Sequence, residues 1–74
     1  MEMIMLSKAE EEVLTLLADN AMNVTRVAEE SHYSRSVIYD RLRSVKIKTG
    51  INPMDFWGLH RLLSLIEEGK EESL

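Results

Sequence analysis

Asn23-Val24-Thr25-Arg26-Val27-Ala28-Glu29-Glu30-Ser31-His32-Tyr33-Ser34-Arg35-Ser36-Val37-Ile38-Tyr39-Asp40-Arg41-Leu42-Arg43-Ser44-Val45-Lys46-Ile47-Lys48 is the stretch on which the fold turns. Asn23 carries a side-chain oxygen suited to the free amides of a first helical turn. Val24, Val27 and Ala28 follow at helical spacing, which predicts a short helix through about Ser31. His32 and Tyr33 read as a tight turn. Ser34 repeats the capping chemistry and opens a longer helix in which Val37, Ile38, Leu42 and Val45 recur at three and four residues. That register leaves Arg35, Ser36, Tyr39, Asp40, Arg43 and Lys46 on the outside, and Gly50 ends the helix as a left-handed C-terminal residue.

Upstream, Ser7-Lys8-Ala9-Glu10 is a capping box, with the serine hydroxyl and the glutamate carboxylate each satisfying a free amide of the other. A helix is expected from there to about Asp19-Asn20, with Ala9, Val13, Leu14 and Leu17 on one face and Glu10, Glu11 and Glu12 near its positive end. Downstream, Asn52-Pro53-Met54-Asp55 reads as a restart, Asn52 the cap and Pro53 the first helical residue of a helix over residues 53–67. On it Phe56, Leu59, Leu63 and Ile66 make one face, and Trp57, Leu62 and Leu65 widen it. Two readings fit that width: Trp57 seals the core edge, or Trp57, Leu62 and Leu65 meet the same helix of a second subunit in a homodimer. Met22 and Met54 read as gap fillers, and residues 1–5, with Met1, Met3 and Met5, and 69–74 as loose ends.

The expected architecture is all-α: one small four-helix domain over residues 1–74, containing a helix-turn-helix. Its 74 residues leave no room for a second core, and 45% apolar residues argue for a folded globule. Without cysteine there are no disulfides or thiolate metal sites. Met1–Leu6 lacks the basic and apolar regions of a signal peptide, and no apolar run approaches the ~20 residues of a membrane span, so a cytoplasmic location is expected, with no membrane partner.

Net charge is −4, which at first sight disfavours a polyanionic partner. Its distribution is uneven. Residues 1–32 carry seven acids and two bases, net −5; residues 33–50 five bases and one acid, net +4; residues 51–74 five acids and two bases, net −3. A basic segment between acidic ones fits a localised polyanion contact, and equally a solvated helix face.

A short helix, a tight turn and a second helix with basic and polar residues outward is the geometry that lays a helix into the major groove of double-stranded DNA. On that outward face the Arg43 guanidinium has the donors for guanine N7 and O6, the Asp40 carboxylate can accept from cytosine or pair with Arg43 or Arg35, and the Tyr39 hydroxyl can meet a base or a phosphate. Ser34, Arg35 and Ser36 suit phosphate oxygens, as do Thr25, Arg26, Lys46 and Lys48. Arg41, on the inner flank, is expected to brace the fold through an acidic neighbour.

Leu6-Ser7-Lys8-Ala9-Glu10-Glu11-Glu12-Val13-Leu14-Thr15-Leu16-Leu17-Ala18 resembles the opening pattern L-[ST]-x-x-E-x-x-V-L-x-x-L-A of the LuxR/GerE-type DNA-binding domain. Val27-Ala28-Glu29-Glu30, Ser34, Val37-Ile38, Val45 and Lys48-Thr49-Gly50-Ile51 look like that family's later positions in the same order, so the resemblance covers residues 6 to about 63. It departs at Ser31 and Thr49, each standing where the family has Leu, and in a loop before Asn23 one residue longer. The resemblance implies a bacterial transcription regulator, here stand-alone, whose base-reading positions fall at Tyr39, Asp40 and Arg43. The segment from Asn23 to Arg43 is also similar to the Fis-type helix-turn-helix of PucR-like regulators, which are bacterial transcription factors too.

Enzymatic motifs are missing: no Gly-rich phosphate loop, G-x-S-x-G or H-E-x-x-H occurs. His32 falls in the turn and His60 on or beside the fourth helix's packing face, far apart and without metal-ligand spacing, so no catalytic residue, metal or cofactor is expected. The competing expectation, prompted by the acidic net charge, is a protein-interaction module on the same fold, using the fourth helix and not DNA.

Overall fold

The computed structural model describes residues 6–72, with side chains described as far as Glu68. Four helices follow one another: α1 (Lys8–Asp19), α2 (Val24–Ser31), α3 (Arg35–Thr49) and α4 (Phe56–Glu72), with no strand among the described residues. Among the described residues no helix is long and apolar enough to cross a membrane.

Each of the first three helices starts at its expected cap. Ser7 and Glu10 form the full capping box, Ser7 N–H donating to Glu10 Oε1 at 2.8 Å and Glu10 N–H to Ser7 Oγ at 3.1 Å. Asn23 Oδ1 accepts from Arg26 N–H at 3.2 Å, and Ser34 Oγ from Val37 N–H at 3.2 Å. Gly50 closes α3 with φ +73°, its N–H donating to Lys46 O at 2.7 Å. That backbone region favours glycine because any Cβ would crowd a carbonyl there.

The start of α4 corrects the expectation. Asn52 and Pro53 do not open the helix. Asn52 Oδ1 accepts from Met54 N–H at 3.0 Å and its carbonyl accepts from Asp55 N–H at 3.2 Å, making a turn that buries Pro53. Asp55 does the capping, through Oδ2 to Gly58 N–H at 3.0 Å, and its carbonyl takes Leu59 N–H at 2.8 Å. The turn folds back so closely that a Cβ on Gly58 would stand 2.1 Å from Asn52 O. The other end runs on to Glu72, so Gly69 to Glu72 are helix and not tail. The loose ends expected at residues 1–5 and 73–74 lie outside the described residues.

α1 is the hub. It packs against α2, α3 and α4, α2 also packs against α3, and α4 meets α1 alone among the helices. The core is Val13, Leu14 and Leu17 from α1, Val24 and Val27 from α2, Ile38, Leu42 and Val45 from α3, and Leu59 and Leu62 from α4. Leu62, expected in a dimer interface, is fully buried inside this core. Phe56, expected inward, is instead 63% exposed at the first position of α4, where no other helix than α1 comes near. Met22 packs on the core as expected, whereas Met54 sits 40% exposed on the Asn52 turn and fills no gap.

Candidate nucleic-acid interface

The connection between α2 and α3 sets how the basic helix is held. Ser31 Oγ donates to Val27 O at 2.7 Å and accepts from Tyr33 N–H at 3.2 Å, so the hydroxyl pins the chain as it leaves α2. His32 takes the left-handed conformation, φ 67° and ψ 11°, as the cap of α2. Tyr33 then packs against the core, and the Arg41 guanidinium lies over its ring, 5.6 Å from the centroid. Arg41 was expected to lean on an acidic neighbour. It leans on an aromatic ring, with its Nε buried and without a hydrogen-bond partner.

The far end of α3 is tied to the start of α1 through a buried carboxylate. Glu10, 3% exposed, accepts from Lys48 Nζ at 2.9 Å on Oε1 and from Ser44 Oγ at 2.8 Å on Oε2, besides the Ser7 amide. Burial alone would raise the Glu10 carboxyl. The Ser7 amide, the Lys48 ammonium and the Ser44 hydroxyl favour the charged form and together lower it from 4.5 to about 2. Lys48, expected on phosphate, is therefore the partner of this carboxylate. This is a correction whose cause lies 38 residues away in sequence, at Glu10.

What remains outward on α3 is a single face. Arg35, Ser36, Tyr39, Asp40, Arg43 and Lys46 are all exposed, and the structure brings them together as expected. Among the described residues the one salt bridge is Lys48 to Glu10, so Arg35, Arg43 and Lys46 are free cations. The alternative role of Asp40, as ion-pair partner of Arg43 or Arg35, is not taken up. Ser34, at the mouth of α3, accepts from Val37 N–H and keeps its own hydroxyl proton to donate. Thr25 and Arg26 are exposed in the first turn of α2, on a different helix.

One residue on this face was missed. Ile47 is 76% exposed, the most exposed of the large apolar side chains among the described residues. It follows Ser36, Asp40 and Arg43 at steps of four, three and four residues, so it stands in their row. The spacing was legible; its apolar character drew it away from a list of polar contacts.

α4 presents a different surface. Trp57 is 72% exposed, edge-on to Phe56 at 5.2 Å between ring centroids and to His60 at 6.3 Å. His60 is exposed and does not lie on the packing face, and Leu65 is half-buried. Of the three residues expected to meet a second subunit, Trp57 is open, Leu65 is at the margin and Leu62 is inside. Compared with known protein families, with curated proteins and with solved structures, the chain matches none.

Proposed function

We propose that the chain is a sequence-specific regulator of transcription that lays α3 into the major groove of double-stranded DNA, α2 and α3 serving as its helix-turn-helix. The observation that carries the reading is the outward face of α3, where Arg35, Arg43 and Lys46 stand exposed and, among the described residues, free of ion pairs on an otherwise acidic chain. An acidic body with one basic helix orients that helix toward a polyanion and repels every other approach. Arg43 is the guanine reader, Tyr39 and Asp40 its neighbours on the base edges, and Ser34, Arg35, Ser36 and Lys46 take phosphates, with Thr25 and Arg26 at the flank. The LuxR/GerE-type resemblance adds a bacterial setting and supports the same helix. Trp57, with Phe56 beside it and Leu65 at the margin, pairs two copies, each reading a half-site.

Selection of bound duplexes from a random pool, followed by a salt series on the winners, tests the proposal. It expects a two-part motif with half-sites about one helical turn apart, and affinity that falls steeply with salt. No enrichment and no duplex binding at low salt overturns it. A second reading, a protein-interaction module, has its own observation in the exposed Phe56–Trp57 pair. A stable complex through α4 without any duplex affinity is the result that favours it.

A further inference from the structure

We propose that Ile47 is a specificity residue that reads the 5-methyl group of a thymine, one or two base pairs from the guanine taken by Arg43. This rests on the DNA-binding reading above and extends it to a residue with no hydrogen-bonding group. An isolated apolar side chain on a surface is ordinary. Position sets Ile47 apart: the row Ser36, Asp40, Arg43, Ile47 runs along the middle of the outward face of α3.

Arg35 and Lys46, eleven residues apart, fall almost in line on one edge of that face. At 1.5 Å per residue they are separated by about 16 Å along the axis, the length of about five base pairs. Cations at both ends of one edge suit phosphates of one strand, and they hold α3 along the groove and not end-on. The central row then faces the base edges from Asp40 through Arg43 to Ile47, with Ser36 at its start on phosphate.

Along the axis Asp40 precedes Arg43 by about 4.5 Å, and Ile47 follows Arg43 by about 6 Å. The row therefore orders its targets, with a hydrogen-bond donor base on one side of the Arg43 guanine and an apolar group on the other. The major-groove edge of a base pair offers one apolar group, the thymine methyl. A β-branched side chain held by a helix loses little rotamer freedom on meeting it.

The test uses a duplex from the selected pool, with each thymine replaced singly by deoxyuridine, which removes the methyl and keeps every hydrogen-bonding group. The guanine is located by 7-deazaguanine replacement, to which Arg43→Ala is indifferent. The full chain is expected to lose about 4-fold in affinity, the worth of one buried methyl at about 0.8 kcal/mol, at one thymine within two base pairs of that guanine. Ile47→Ala is expected to bind the thymine and uracil duplexes alike, while Arg43→Ala still distinguishes them. Because Ile47 is largely exposed, the variant keeps its fold, which circular dichroism checks.

Duplex binding indifferent to every uracil, a half-site without thymine at that place, or Ile47→Ala that still senses the methyl each overturns the assignment to Ile47 and leaves the DNA reading standing. A full chain that binds no duplex removes both together.

Discussion

The outer faces of α3 and α4 are built from the same local rules and differ in how they treat water. On α3 the inward positions are apolar or tied down apart from the partnerless Nε of Arg41, and the outward positions are polar except Ile47. On α4 apolar residues occupy both sides: Leu59 and Leu62 are buried, while Phe56 and Trp57 are largely exposed. A helix whose polarity divides cleanly announces its faces. One that carries apolar residues on both sides of its first turns leaves the division to its neighbours, and among the described residues α4 meets only α1 of the other helices. α3 is thus suited to a charged partner and α4 to an apolar one.

The sharpest way to break the comparison is to exchange the roles given to two α4 residues five positions apart. Leu62→Ala removes a fully buried side chain from a small core and is expected to cost about 2–5 kcal/mol, a large share of a small domain's stability. Trp57→Ala, at 72% exposure, is expected to cost about 0.5 kcal/mol or less in the monomer. Urea unfolding at low protein concentration measures both. Equal losses would show that Trp57 belongs to the core after all.

α3 keeps its orientation through a contact of a different kind, the Glu10 carboxylate under Ser44 and Lys48. Folding lowers the Glu10 carboxyl from 4.5 to about 2, so the unfolded chain takes up this proton first. The contribution is complete above pH 4.5 and disappears as pH falls through about 2, a loss on the order of 3 kcal/mol. Glu10→Gln preserves the capping box and gives up the charge. Its stability deficit against the parent chain should be full at pH 7 and vanish near pH 2. A deficit that stays constant across that range would mean that Glu10 acts by packing alone.

These two residues also show what the amino-acid sequence makes legible. Local chemistry was readable: Ser7, Asn23 and Ser34 cap where their neighbours say they should, and Gly50 stops α3. Contacts between distant residues were not. Lys48 looks like any lysine in the last turn of a basic helix, and only tertiary packing brings Glu10 beneath it. Leu62 and Trp57 both widen the apolar face of α4, and the path of α1 decides which is covered. Asn52-Pro53 carries a helix-start signal, yet Asp55 carries another three residues later and wins, because the Asn52 turn is held against Gly58. Of the candidate interface, the α3 row was readable by period alone, Ile47 included, although its apolar side chain set it apart from the polar contacts.

Function should divide along the same line. Arg43→Ala is expected to lose about 1–3 kcal/mol of discrimination at one guanine, whereas Lys46→Ala weakens all duplexes alike and lowers the salt slope by about one. Trp57→Ala should weaken self-association, read by sedimentation, while leaving affinity for an isolated half-site unchanged. If Trp57→Ala alters base preference, or Arg43→Ala alters self-association, the two faces are one surface.

The smallest effect concerns how the chain enters α3. His32 holds a left-handed backbone at φ 67° between α2 and the Ser34 cap, a conformation that costs a side-chain-bearing residue about 1 kcal/mol and glycine little. Glycine at this position relieves that cost but adds freedom to the unfolded chain, so His32→Gly should stabilise by about 0.5 kcal/mol. Since His32 is exposed and stands outside the α3 row, duplex preference should not move with it. A destabilised His32→Gly chain would instead mean that the imidazole itself fastens the turn and so helps to aim α3.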